Sequence, residues 1–291
     1  MSLLYGGGAI LIRELALRWG KGWRTVFLLG MTFGIVEEGL MVKSRFDINW
    51  PDAKALGQYG RWEGINWVWA THLTLYHMVF SIAIPIVLVT LMFPERRRDA
   101  WIGQKGFYIL AGLFGADVVF GFLFLASYRP PLLPYLLAAG MAGALFWLAG
   151  RQPGGTLIRD PRGQFTHPGR LYLLGLASTL ALFGIGWRLA AARIPAWLVV
   201  LLLGGCGAPT FGVASHLSRG SSLLLPRNQL GLASGALSSF IALAPLQQLD
   251  KTRTDNTSGM AWVGLAAALM LVWLALRVRQ EEKTAVLLRA P

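Results

Sequence analysis

Two adjacent carboxylates, Glu37 and Glu38, stand near the end of a long apolar run in "GIVEEGLMVKSRF", residues 34–46. Two histidines, His72 and His77, follow in the next apolar run, "WVWATHLTLYHMVFSIAIP", and another acid, Asp117, lies in "FGADVVFGF". A charged side chain near the middle of a bilayer costs ~3 kcal/mol on insertion scales, so its retention there marks a functional site by default. Like charges side by side favour keeping one proton between them, a state suited to general acid–base catalysis, cation binding or proton relay. The bland alternative is that both acids reach interfacial water, with Lys43 and Arg45 as partners. His72 and His77 are five residues apart, about 140° round a helix, so they do not form an i, i+4 metal pair. No metal ligand is therefore assigned, and the cofactor is left unknown.

The elements that position these groups follow from composition. The chain has 291 residues, of which 55% are apolar and only 14% charged, and it carries 12 Trp. That balance indicates an all-α, polytopic helical membrane protein. A spanning helix needs about 20 mainly apolar residues. Such runs occur at 3–19, 24–42, 67–93, 106–127, 132–150, 171–187, 195–215, 229–249 and 259–277, giving about nine transmembrane helices in a single membrane domain, 1–291. Small residues recur at helical spacing, at Gly30 and Gly34, Gly112 and Ala116, and Ala139 and Gly143, where helix backbones could approach closely. Gly30, Gly34 and Glu38 share one face, so Glu38 should point at a neighbouring helix. Glu37, about 100° round, should face elsewhere.

Charge orients the helices. Seventeen of the 27 Lys and Arg fall in connections 18–24, 94–105, 151–170, 216–228 and 277–291, and nine in the alternate ones, 43–66, 128–134, 188–195 and 250–258. Retention of basic loops inside makes 94–105 and 151–170 cytoplasmic, with the N-terminus outside and the C-terminus inside. An outside N-terminus with only "MSLL" before the first run implies reversed insertion driven by "RWGKGWR", or a helix missing upstream. The net charge of +13 is thereby explained by topology and anionic headgroups, with membrane lipids as partners and nucleic acid not expected. The expected location is the bacterial cytoplasmic (inner) membrane. Taking the outer boundary at Val42 and Trp67 and ~1.5 Å of rise per residue, Glu38 lies about 6 Å deep and His72 about 7–8 Å, while His77 and Asp117 lie at about 15 Å. His216 falls at the inner end.

The outer connection 43–66 combines Trp50, Tyr59, Trp62 and Trp67 with Arg61, Glu63 and Asn66. It reads as an interfacial aromatic belt or as a lid over the acids, with Arg61, Asn66 and Trp62 as supporting or substrate-binding groups beside His72 and Asp117. A second outer connection offers Asp250, Arg253, Asp255 and Asn256. Several nucleophile patterns fail, since there is neither a G-x-S-x-G elbow nor an H-E-x-x-H helix, and "GLASGALSS" departs from the rhomboid pattern at Leu232. The lone cysteine, Cys206, precludes an intramolecular disulfide and reads as a packing residue.

Twin glutamates late in one helix, followed by L-x-x-x-H from Leu73 to His77, resemble the glutamate-dependent intramembrane CAAX protease and bacteriocin-processing family. The resemblance implies that Glu37 and Glu38 polarise an attacking water and that His77 supports the oxyanion. It departs from the family at Val42, where an Arg is expected, and at "HLSRG", where Gly220 replaces an Asn. It covers about residues 30–80. The first functional reading is thus an intramembrane hydrolase with catalytic Glu37, Glu38 and His77. The alternatives are a proton- or cation-coupled small-solute transporter and a lipid-linked glycosyl- or phosphotransferase.

Overall fold

Without water to satisfy backbone groups, apolar runs of this length become helices. The computed structural model describes residues 2–159, 168–218, 222–251 and 255–287, and helix is the dominant structure among them. Among the described residues we number nine helices in chain order. Helix α1 runs from a π-helical turn, Ser2–Gly7, into Gly8–Arg18; α2 is Trp23–Ile35 continued by a π segment, Val36–Met41. Helix α3 spans Trp67–Met92 with a π segment at His77–Ala83, α4 spans Gln104–Leu125, α5 Leu132–Gly150, α6 Pro168–Leu189, α7 Ala196–Leu217, α8 Pro226–Leu249 and α9 Met260–Leu287. Seven of these, α3 to α9, are long and apolar enough to cross a membrane. The chain is an all-α, multi-pass membrane protein. Helices α1 and α2 coincide with the first two expected runs but carry more charge: Arg13, Glu14 and Arg18 in one, Arg24, Glu37 and Glu38 in the other.

The chain divides into two compact units: the described residues of Met1–Val89, Glu95–Leu157 and Leu182–Cys206, and those of Thr90–Pro94, Ile158–Ala181 and Gly207–Pro291. In the first unit Ile12, Ala16, Val26, Leu29, Phe33, Ile82 and Ile86 pack α1, α2 and α3 together. Gly30 and Gly34 permit this closeness: a Cβ on Gly30 would stand 3.0 Å from the Met78 Cα, and one on Gly34 3.2 Å from the Thr74 Cα. The other expected small-residue faces do not behave this way. Gly112, Ala116 and Gly143 are exposed, and α5 buries Ala138, Ala142 and Ala149 instead.

Connections of the first unit sort to two ends, as the charge alternation implies. At one end Arg18 donates to the Ile102 carbonyl (2.9 Å), Lys21 to that of Gln152, and the Trp23 indole to that of Leu157 (2.7 Å). At the other, Lys43 donates to the Ala126 carbonyl (2.7 Å) and Tyr59 to that of Ile194. The 43–66 connection is a packed cap. It folds through a 3-10 helix, Pro51–Leu56, into a hairpin of β1 (Arg61–Trp62) and β2 (Ile65–Asn66). Positive φ at Glu63 (49°) and Gly64 (77°) gives the turn whose twist matches its strands. Ala53, Leu56 and Trp69 form its core with Trp50 and Tyr59 against them.

In the second unit "GLASGALSS" is a helix-packing face. Gly231 and Gly235 of α8 leave no room for a Cβ against the Pro168 and Tyr172 carbonyls of α6, and Thr179 donates to the Ala236 carbonyl (3.2 Å).

Candidate acid–histidine site

The site is built from three π segments. In such a segment each N–H bonds to the carbonyl five residues back, so successive side chains turn through less than the about 100° of an α-helix. Glu37 and Glu38 lie within Val36–Met41, and both therefore reach the same neighbour, contrary to the expectation that they diverge. Glu37 Oε2 lies 3.1 Å from His77 Nδ1, and Glu38 Oε1 lies 3.1 Å from His77 Nε2. His77 opens its own π segment, and Tyr5 comes from the turn that begins α1. π-Helix is rare and concentrates at functional sites.

Each group is held by a further contact. Tyr5 donates its hydroxyl to Glu37 Oε1 (2.5 Å) and stacks its ring on the imidazole, with centroids 6.0 Å apart. Ser44 Oγ pairs with Glu38 Oε2, and the Trp69 indole donates to Ser44 Oγ (3.1 Å). Ser81 Oγ lies 2.9 Å from His77 Nδ1. Tyr76 stands edge-on to the imidazole at 5.2 Å. The side chains of His77 and Glu37 are 3% and 6% exposed, against 13% for Glu38, so Glu38 is the member most open to solvent.

The neighbouring bases make no direct ion pair with these acids. Lys43 donates to the Phe122 and Ala126 carbonyls (2.7 Å each), closing the end of α4. Arg45 donates to the Gly34 carbonyl (3.0 Å) and lies against Gly39. Burial pushes the Arg45 guanidinium down to about 10 while the Glu38 carboxylate draws it back up, so it stays cationic at neutral pH and lends Glu38 a favourable field.

The depth reckoning is corrected at one point: it placed Glu38 level with His72. Glu38 meets His77 because the chain does not leave the helix bundle at Val42: Lys43, Ser44, Arg45 and Phe46 are all buried and add a layer over the acids. His72 turns instead to Phe183 (5.1 Å, edge-on) and Gly186, with Nδ1 lacking a hydrogen-bond partner. Asp117 is half-buried on α4 and is not among the three groups that converge.

The supporting residues of 43–66 serve the cap itself. Arg61 donates to the Phe46 carbonyl (2.8 Å) and to those of Gly57 and Gly64 (3.2 Å each). Asn66 accepts from the Trp69 N–H (3.0 Å) as the N-cap of α3 and donates to the Leu56 carbonyl (2.5 Å). Trp62 is exposed beside Trp67. Asp250, Asp255, Asn256 and an exposed His216 belong to the second unit, while Arg253 and Gly220 lie outside the described residues. Cys206 donates to the Leu203 carbonyl (2.9 Å) and packs in the Val199 and Leu203 cluster.

Sequence reasoning missed Tyr5, Ser44, Ser81 and Trp69. Ser81 carried a usable signal, a hydroxyl one turn beyond His77 in an apolar run; Tyr5 carried none, because its approach depends on how α1 docks. Chemically, two carboxylates and one imidazole in a site largely shut off from water can accept, hold and return a proton, or hold a cation.

No curated protein and no solved structure matches the chain. The twin-glutamate likeness to the CAAX protease family has no family-model match behind it. A family model does match residues 1–289, nearly the whole chain, and by that match the chain belongs to an uncharacterized membrane protein family.

Proposed function

We propose that this chain is an intramembrane hydrolase of the glutamate–histidine type, in a bacterial cytoplasmic membrane, with its site in the outward half. The observation that carries the reading is the convergence of Glu37, Glu38 and His77 from α2 and α3, with 3.1 Å between each carboxylate and a ring nitrogen. Glu38, the more open acid, takes a proton from water as the oxygen attacks a substrate carbonyl and later delivers it to the leaving group. His77 moves toward the developing oxyanion and stabilises it, while Tyr5 and Ser44 hold the carboxylates in register. The excess of Lys and Arg over the whole chain on one set of alternate connections, seventeen against nine, supports the outward placement.

The test needs no prior substrate. Full-length protein in lipid nanodiscs is incubated with a library of membrane-anchored peptides in ¹⁸O-water, and products are read by mass spectrometry. Wild type should place one ¹⁸O in each new carboxylate, and Glu38→Gln none. Equal labelling by both proteins would overturn the assignment. A second reading, a proton- or cation-coupled carrier of small solutes, draws support from the polar chain linking Trp69, Ser44, Glu38, His77, Glu37 and Tyr5. Absence of labelling together with Glu38-dependent proton flux in liposomes would put that reading first.

A further inference from the structure

We propose that Glu37, Glu38 and His77 bind one divalent first-row transition-metal ion of the zinc class. One ligand atom from each residue lies within 4.8 Å of the others. Zinc bonds to imidazole nitrogen and carboxylate oxygen at about 2 Å, so three ligand atoms around one ion lie within about 4 Å of each other. Glu38 Oε1 already stands 3.1 Å from His77 Nε2, while Glu37 Oε2 stands 3.1 Å from the other ring nitrogen, Nδ1, so a side-chain adjustment that turns Glu37 Oε2 toward Nε2 admits the ion.

An independent observation concerns the Glu37 ligand. Glu37 Oε2 is buried and has no hydrogen-bond partner, although it lies 3.1 Å from His77 Nδ1. The outer contacts favour the same arrangement. Tyr5 holds Glu37 through Oε1, and Ser44 holds Glu38 through Oε2, which leaves Oε2 of the first and Oε1 of the second turned to the imidazole. Ser81 Oγ can accept from Nδ1–H, fixing the tautomer whose Nε2 lone pair faces Glu38 Oε1. Two lone pairs 3.1 Å apart repel unless a cation stands between them, either a proton or a metal. Ligating histidines and carboxylates are commonly oriented in this way by outer hydrogen bonds. A dication also matches the charge of the two carboxylates. Three protein ligands leave a further position for water or substrate, the arrangement of an open zinc site.

The proposal uses the same residues as the hydrolase reading, but metal binding is measured without substrate, so the two ideas fail separately. Full-length protein in detergent is stripped with chelator, dialysed against Zn²⁺ and passed through gel filtration, and its metal content is measured. A parallel titration with Co²⁺ reads visible absorption. Wild type should retain one Zn²⁺ per chain, Glu37→Gln and Glu38→Gln should each weaken Co²⁺ binding at least about tenfold, and Asp117→Asn should bind as wild type does. No retained metal in wild type, or full retention by Glu38→Gln, would overturn the site. If the glutamine variants aggregate, X-ray absorption of Co²⁺-loaded wild type decides: an imidazole in a nitrogen and oxygen shell supports the site, and a shell without imidazole overturns it.

Discussion

The first unit buries two clusters of charge, and they are built on opposite principles. Near the basic end, Arg13 and Glu14 of α1 are both fully buried, with 3.2 Å between them. Glu14 also accepts from Arg18 (3.3 Å) and from the Trp101 N–H (2.7 Å), while Arg13 donates to the carbonyls of Arg96, Arg97 and Asp99 and lies 3.6 Å over the Trp101 ring. Both carboxylate oxygens are occupied, and two guanidiniums face one acid. At the other end, two acids share one imidazole and an oxygen of Glu37 lacks a hydrogen bond. A buried cluster whose acid has both oxygens taken up by donors fastens a loop to a helix. One with surplus negative charge and an open lone pair is poised to take a proton or an ion.

The sharpest way to break this contrast is to remove one acid from each cluster. Glu14→Ala should cost about 3–5 kcal/mol, because Arg13 loses its ionic partner while remaining buried. Glu38→Gln keeps the shape, and its new amide can donate to the imidazole, so its cost should stay below about 1.5 kcal/mol. Thermal unfolding in one detergent ranks the two; equal losses would show that both clusters are architectural. Gly34→Val comes next, at about 1–3 kcal/mol, since its side chain must displace His77 and Thr74. It should also abolish ¹⁸O labelling by pushing α3 away from the acids, and a variant that is destabilised but fully active would separate the packing of α2 from the site. Smallest is Trp62→Ala. Its side chain lies on the surface, 67% exposed, so unfolding should shift by no more than about 0.5 kcal/mol. A larger loss would mean that the hairpin tip does more than solvate.

Much of the frame was legible before any coordinates. Eight of the nine apolar runs end within about two residues of their helices, because membrane helices follow from length and hydropathy; only α9 departs, continuing to Leu287. At the acids the reading faltered over geometry rather than chemistry. A uniform α-helical count separated Glu37 from Glu38 and raised Glu38 to the level of His72, whereas the π segment Val36–Met41 and the inward fold of residues 43–46 turned both acids to His77. Arg13 and Glu14 passed unnoticed as a pair, since nothing local reveals that "PERRRDAW" folds back over them.

By itself the sequence determined that this is a helical membrane protein, where its helices run, and that two acids and a histidine lie among apolar neighbours. These follow from solvation, which each segment meets alone. Only the tertiary structure decided that His77 rather than His72 takes the acids, that Tyr5 and Ser44 hold them, and that Arg61 and Asn66 belong to the cap. Those choices depend on side chains about 3 Å apart across different helices, and a local change in helical winding is enough to exchange one partner for another.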